Sequence, residues 1–317
     1  MHDFLTPLIW SENQLIFTDQ RLLPHIEDVF IADKVEKVAQ AISDMVVRGA
    51  PAIGIAAAFG WALGKKQKYS DQIIYDLLIK TRPTARDLSY TLEYMLKHNA
   101  NPLKSAFNYL QTITELELEL VKQVSSVIHS HDRILTHCHS GSLAMYNWGT
   151  ALGGINYAWQ KQNKEIFLWI KETRPRVQGR ITAWEARKRG IPHCIIVDST
   201  AAYLISCRKV DKIIVGADRI AKNFDVANKI GTLSLAITAR HFNIPFYVAA
   251  PKTTFDEQAD SGTSFIIEER DNDEIKAFNN NLIYEKQENY FFNPAFDIVP
   301  HCLITAIITE QGLIELN

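Results

Sequence analysis

The hydrophobic rhythm of the chain changes once, near residue 130. Before that point most apolar residues recur at helical spacing. The opening "PLIWSENQLIFTDQRLLP" instead reads as two short strands around a Ser-Glu-Asn turn, a hairpin. From Asp33 the pattern turns helical, with Val35, Val38, Ile42, Met45 and Val46 on one face, until the chain breaks at Arg48-Gly49-Ala50-Pro51. A second helix follows at once. The stretches 70–80, 84–98 and 103–130 also read as helices. Within the last, "ELELEL" alternates like a strand, but Ile113, Leu116, Leu120, Val124 and Val127 fit a helical face, and the context favours helix.

After "SSVIHSHDR" the chain switches to short apolar runs separated by helical segments: "RILTHC", "EIFLWIKE", "HCIIVD", "DKIIVGAD" and "PFYVAA". Such alternation predicts right-handed βαβ units and an α/β fold with a Rossmann-like, doubly wound, mostly parallel sheet. The predicted organisation is a smaller, mainly helical N-terminal domain with a β-hairpin over residues 1–130 and a Rossmann-like catalytic domain over 131–317. Neither the Gly-rich dinucleotide fingerprint nor a P-loop follows any strand, so the sheet carries no nucleotide motif.

Composition narrows the function classes. With 317 residues, 47% of them hydrophobic, the chain can bury a large core, and its formal net charge of -2 argues against nucleic acid as a partner. No apolar run is long enough to span a bilayer, and "MHDFLTPLIWSENQ" lacks the regions of a signal peptide, so the expectation is a cytoplasmic protein with no membrane partner. Cys138, Cys194, Cys207 and Cys302 are scattered, which suggests reduced thiols rather than a disulfide framework or a zinc ribbon.

Candidate chemistry lies at the strand ends, because open α/β sheets bind ligands there. These ends carry Cys138, Glu172-Thr173-Arg174-Pro175, Asp198, and Asp218 with Arg219. Two segments, Ser140-Gly141-Ser142 after the cysteine and Lys229 to Thr232, read as helix starts whose free amides can cradle an anion; Asn228 adds a directional amide. Taken singly, each feature has an ordinary reading. Cys138 is open to four roles: metal ligand, nucleophile, proton-transfer group or small buried thiol. In an extended segment it faces away from His137 and His139, which disfavours one metal held by all three. Asp218 suits a helix cap as well as a reaction, Asp198 reads as a cap, Arg48-Gly49-Ala50 reads as a helix stop and restart, and Lys65-Lys66-Gln67-Lys68 as a solvated helix end.

The longer motifs do not stand singly. "MVVRGAPAIGIAAAFG", "TRPTARDL", "LTHCHSGSLA", "ETRPRVQGRITAWE", "VGADRIAKNFDVANKIGT", "FYVAAPKTTFD" and "NPAFDIVPHCLITAIITEQG" together resemble the methylthioribose-1-phosphate isomerase family over nearly the whole chain. The wider family includes ribose-1,5-bisphosphate isomerases and regulatory subunits of the translation initiation factor 2B complex. The resemblance implies a catalytic pair, Cys138 in "THC" and Asp218 in "GAD". It implies substrate contacts from Arg48, Gly49, Ala50, Arg82, Gln178, Asn228 and Lys229. It further implies a phosphorylated sugar substrate, no metal or other cofactor, and a homodimer.

On that resemblance Asp218, kept protonated by desolvation, opens the sugar ring, and Cys138, its thiol acidified by cationic neighbours and helix amides, moves a proton from C2 to C1. Hydride transfer between the two carbons is the competing route. Arg48, Arg82 and Lys229 hold the phosphate, and apolar residues around "RGAPAIGIAAAFGW" suit a methylthio group. The chain departs from the family pattern at His139 and Ser140, where Asn and Thr are usual, at the shortened "QGRIT", and at Phe224, where Gly is expected. These departures bear on substrate identity more than on reaction class. The alternatives are ribose 1,5-bisphosphate, 5-deoxyribose 1-phosphate, or a non-catalytic metabolite sensor.

Overall fold

The structure is a computed structural model that describes residues 2–82, 86–278, 281–282, 284 and 291–316. The predicted hairpin forms from β1 (Leu8–Ser11) and β2 (Gln14–Thr18), with Glu12 and Asn13 both at positive φ, as a tight two-residue hairpin turn requires. A third strand, β3 (Val29–Ala32), pairs with β2. Next come α1 (Val35–Ser43) and α2 (Ala50–Lys66), separated by the Arg48-Gly49 break. Residues 51–64 of α2 are buried all round. A helix without a polar face belongs at the centre of a bundle. Around α2 pack α1, α3 (Asp71–Ile79), α4 (Arg86–Lys97) and α5 (Pro102–Ser126). The predicted starts of α4 at residue 84 and of "TRPT" beyond Arg82 fall outside the described residues. The last helix stops at Ser126 rather than 130; beyond it the His129 amide donates to the Asp132 carboxylate in place of a helical carbonyl.

The second half alternates as predicted: β4 (Arg133–Thr136), α6 (Ala151–Gln162), β5 (Phe167–Lys171), α7 (Gly179–Lys188), β6 (His193–Ile196), α8 (Thr200–Ser206) and β7 (Lys212–Val215). A hairpin of β8 (Arg219–Ala221) and β9 (Val226–Lys229) precedes α9 (Thr232–His241) and β10 (Phe246–Ala249). Then follow β11 (Phe255–Asp256), α10 (Asp273–Lys276), β12 (Ala277–Phe278), β13 (Asn281–Leu282), β14 (Phe296–Val299), β15 (Ala306–Thr309) and β16 (Gly312–Glu315). The main sheet has seven strands in the order β16-β15-β10-β7-β4-β5-β6, parallel except for the β15–β16 edge. A smaller sheet, β11-β8-β9-β14, has no counterpart in the sequence reading. Among the described residues no helix is long and apolar enough to cross a membrane.

This topology fixes where a ligand can bind. From β4 the chain winds one way through β5 and β6, and from β7 the other way through β10 and β15, so the switch point lies between β4 and β7. Cys138 follows β4 and Asp218 follows β7.

Candidate active site

The switch point opens into a cleft of about 1060 Å³, counted with its mouth, between the main sheet and the N-terminal end of α2. All nine residues singled out from sequence line it: Cys138 and Asp218 at the strand ends, Arg48, Gly49 and Ala50 at the start of α2, Arg82, Gln178 ahead of α7, and Asn228 with Lys229 at the end of β9. Gly49 is required on two counts. Its φ is +97°, and a Cβ there would lie 2.4 Å from the Cα and O of Ala144. No side chain caps α2, so its first turn presents unclaimed helix N-terminal polarity to the cleft.

Cys138 is not in an extended segment. The strand ends at Thr136, and Cys138 adopts φ +63°, as does Thr173 beside it. This strained pair is locked by hydrogen bonds: the Cys138 amide donates to Thr173 Oγ1 (2.9 Å), and Thr182 Oγ1 donates to the Cys138 carbonyl (2.8 Å). The two histidines diverge because each ring has its own partner. His137 bonds through Nε2 to the Ile230 carbonyl (2.9 Å), and burial with Lys171 nearby pushes it down to about 3, so it is neutral. His139 bonds through Nε2 to Glu185 Oε2 (3.0 Å).

Both predicted anion cradles prove to be occupied by the protein's own carboxylates. The Ser142 amide donates to both oxygens of Glu185 (3.1 Å each), and only a short 3-10 turn over 142–144 follows; the long helix waits until Ala151. Glu185 also accepts from Asn156 and Arg189. Burial pushes its carboxyl up, yet the bond and charge of His139 with those of Arg189 outweigh burial, and the net shift is downward. At the start of α9, the Gly231 and Leu233 amides donate to Asp297 (2.7 and 3.1 Å). Asp198 is likewise not a helix cap: it accepts from the Thr173 and Arg174 amides (3.1 and 2.7 Å) and so holds the loop after β5. Asp218 precedes a strand, β8, rather than a helix.

The electrostatics of the catalytic candidates follow from burial. Burial pushes the Asp218 carboxyl up; Lys229 and Arg82 pull it back and Glu268 adds to the rise. Burial also pushes the Cys138 thiol up, and Lys229 and Arg48 do not reverse it, contrary to the acidified thiol expected from sequence. Arg48 donates to the Gln20 carbonyl (2.9 Å) and is pushed down to about 9 by burial and by its neighbours Arg176 and Arg180, which leaves it charged at neutral pH. Lys229 donates to the Ala295 carbonyl (2.9 Å) with its ammonium 4.6 Å over the Phe296 ring. Arg82 Nε and Gln178 Oε1 are buried without a hydrogen-bond partner among the described residues, polar atoms available to a ligand.

Two branches leave the cleft. A largely apolar one shares Gly49, Ala50, Arg82, Asp218 and Phe296 with it and adds Ile53, Arg219, Ala227, Phe265, Ile266 and Ile267. A cationic one shares Met45, Arg48 and Arg176 and adds Arg21, Pro175, Arg180 and Glu274. Sequence reading missed Arg176, Glu268 and Arg270 as neighbours of the site, whereas Thr173 stood among its strand-end candidates. The arginines flanking Gln178 in "RPRVQGR" carried a usable signal, whereas "IIEERD" lies far along the chain with no strand before it to mark it. Phe224 does not line the cleft; it holds the tight turn between β8 and β9 at φ +68°, its ring against Phe255.

The sequence from residue 46 to 316 matches the initiation factor 2 subunit family. It is 45% identical over 314 residues to the methylthioribose-1-phosphate isomerase of Aquifex aeolicus, covering 98% of this chain and 68% of that one. Methylthioribose-1-phosphate isomerase 1 of Pseudothermotoga lettingae is 42% identical, with 96% and 94% covered. Among solved structures, 5-methylthioribose 1-phosphate isomerase from Pyrococcus horikoshii superposes with a TM-score of 0.88 at 36% identity, covering 98% and 92%. Translation initiation factor eIF-2B, subunit delta, from A. fulgidus does so at 0.87 and 36%, covering 98% and 96%. The chain belongs to the family that these isomerases and the initiation factor 2 subunits share.

Proposed function

We propose that the protein is an aldose-ketose isomerase that converts 5-methylthioribose 1-phosphate to 5-methylthioribulose 1-phosphate in methionine salvage. The observation that carries this reading is the meeting of Cys138 and Asp218 in one cleft that has cations for a phosphate and, on the Asp218 side, a largely apolar branch. A purely regulatory relative has no need of a buried thiol and a buried carboxyl at the same switch point.

Phosphate on the anomeric oxygen blocks spontaneous ring opening. Arg48, Arg82, Lys229 and Gln178 with the first turn of α2 hold that phosphate. Asp218, protonated because burial raises it, gives its proton to the ring oxygen, and the C1–O4 bond breaks. Positive charge at C1 makes the C2 hydrogen acidic. The Cys138 sulfur, as thiolate, takes that proton, C1 and C2 become an enol, and the sulfur returns the proton to C1. As the C2 hydroxyl becomes a carbonyl, its proton restores Asp218. The burial that raises Cys138 keeps the thiol neutral in the empty cleft, so the competent thiolate is a minor form.

On the same reading the chain divides into units of 1–130 and 131–317, works in the cytoplasm, and pairs as a homodimer. The exposed Ile195, Val197 and Tyr203 around the β6 edge offer apolar surface to a second copy. The test follows ketose formation from 5-methylthioribose 1-phosphate by NMR, beside Cys138→Ser and Asp218→Asn. Turnover that either substitution abolishes supports substrate and roles; no turnover by folded wild type sinks the reading. Deuterium at C2 that washes out into solvent marks proton transfer, and complete retention at C1 marks the hydride route.

A further inference from the structure

We propose that His139 is a further substrate-binding residue: with Nε2 fixed on Glu185, its Nδ1 hydrogen-bonds a secondary hydroxyl of the sugar and so helps to select which sugar 1-phosphates bind. The inference rests on the reading of the cleft as a sugar 1-phosphate site.

The two histidines that flank Cys138 both line the cleft but are engaged differently. His137 has both ring nitrogens occupied, Nε2 by the Ile230 carbonyl (2.9 Å) and Nδ1 by Thr173 Oγ1 (3.3 Å). His139 donates from Nε2 to Glu185 Oε2 (3.0 Å), and among the described residues nothing meets its Nδ1. That nitrogen is not one of the buried polar atoms without a partner, so it keeps accessible surface, and the ring lies on the cleft wall. With its side chain only 6% exposed, the ring has little freedom to turn away.

Glu185 sets the tautomer as well as the position. Fully buried in α7, it receives the Ser142 amide, Asn156 Nδ2 (2.8 Å) and Arg189 Nε (3.2 Å) besides the histidine. Burial pushes its carboxyl up, but His139, Arg189 and the Ser142 amide outweigh burial and keep it a carboxylate. A carboxylate has no proton to donate, so the proton of the neutral ring sits on Nε2 and Nδ1 is left as an acceptor of fixed direction. A Cβ at Gly141 would collide with the Glu185 carboxylate, so the loop takes this path only with glycine there. Thr182, three residues earlier on the same face of α7, holds the Cys138 carbonyl (2.8 Å). One helix thus orients two consecutive residues, the proposed proton carrier and the ring beside it.

On the sugar 1-phosphate reading, Arg48, Arg82, Lys229 and Gln178 serve the phosphate. The hydroxyls beside the reacting carbons need a directional partner, and the residue next to Cys138 supplies one. A site that hydrogen-bonds a substrate hydroxyl rejects the analogue lacking it, because its own polar atom is then left unpaired. The contact positions the sugar, and the proton of the 2-hydroxyl still returns to Asp218.

Calorimetry on the full chain tests this with ribose 1-phosphate and its 2-deoxy and 3-deoxy forms, in wild type and in His139→Gln. Glutamine Nε2 can keep the bond to Glu185 but offers no atom at the Nδ1 position, so it would rescue a purely structural histidine. The expected result is a loss of at least about threefold for ribose 1-phosphate, with at least one deoxy sugar within about 1.5-fold of its wild-type Kd. Weakening of all three sugars, or of none, overturns the contact. If His139→Gln melts lower than wild type, imidazole 15N NMR of wild type decides. Ribose 1-phosphate should then move the His139 Nδ1 signal more than one of the deoxy sugars does, and an unmoved signal overturns the contact. Wild type that binds ribose 1-phosphate but forms no ketose from 5-methylthioribose 1-phosphate sinks the isomerase reading alone, whereas wild type that binds none of these sugars overturns both.

Discussion

The two branches of the cleft are built on opposite principles from the same wall. The apolar branch is lined mainly by carbon: Ile53 and Phe265 are buried, and Ala227, Ile266, Ile267 and Phe296 join them beside Arg82, Asp218 and Arg219. In the cationic branch, among the described residues, the guanidiniums of Arg48 and Arg180 donate to carbonyl oxygens rather than to carboxylates. An apolar pocket gains from any group that displaces water and discriminates weakly, whereas unpaired guanidiniums gain only from an anion and discriminate strongly. On the proposed reading, the apolar branch takes the methylthio end of the substrate by fit rather than by charge.

The largest expected effect removes the wall common to both. Gly49→Ala forces a Cβ against the Ala144 backbone at a φ of +97°, shifts Arg48 and Ala50, and should cost roughly 100-fold in kcat/KM for any sugar 1-phosphate. Steady-state kinetics beside thermal denaturation separates this from unfolding. A change in pH acts next, and on both branches equally. If Cys138 must be ionised while Asp218 is protonated, kcat/KM should fall about tenfold per unit as pH drops below the raised Asp218 value, hold level, and fall again above the raised Cys138 value. Hydride transfer needs only the acid, so activity would then be highest at low pH and fall as pH rises through the Asp218 value.

Ile267→Ser sharpens the contrast. Loss of the apolar lining should raise KM for 5-methylthioribose 1-phosphate about tenfold and leave the affinity for ribose 1,5-bisphosphate unchanged. An equal effect on both ligands would mean that the branches do not sort substrates. The smallest effect is expected at Phe224→Gly: its ring packs on Phe255 away from the cleft, so kcat/KM for either ligand should stay within about twofold.

How far the sequence carried depends on which physics set each feature. The parallel strands, the bundle helices and the break at Arg48-Gly49 were legible because each is written in local periodicity or turn chemistry. The left-handed turn at Cys138 was not, because no Gly marks it and it is held by Thr173 and Thr182, 35 and 44 residues away. The small sheet escaped notice because its strands are short and β14 joins β9 across 66 residues. The helix starts after Cys138 and Lys229 looked like anion cradles because sequence shows an amide-rich turn but not the distant Glu185 or Asp297 that fills it. The nine candidate residues that line the cleft were singled out through long shared motifs; the composition of the branches emerged only from packing.

Glu117, on α5, has a consequence for how the molecule comes together. Its buried carboxylate receives the amides of Tyr146, Asn147, Trp148 and Gly149, from 3.2 down to 2.7 Å, and Gly149 bridges to Gly141 in the turn that follows Cys138. The keystone of the turn after Cys138 thus comes from the helical half, as do Arg48 and Arg82 on the wall of the cleft. A chain begun at residue 131 would keep Cys138 and Asp218 but lose Arg48, Gly49, Ala50 and Arg82 from the cleft lining, and with Glu117 the acceptor of four amides beside it.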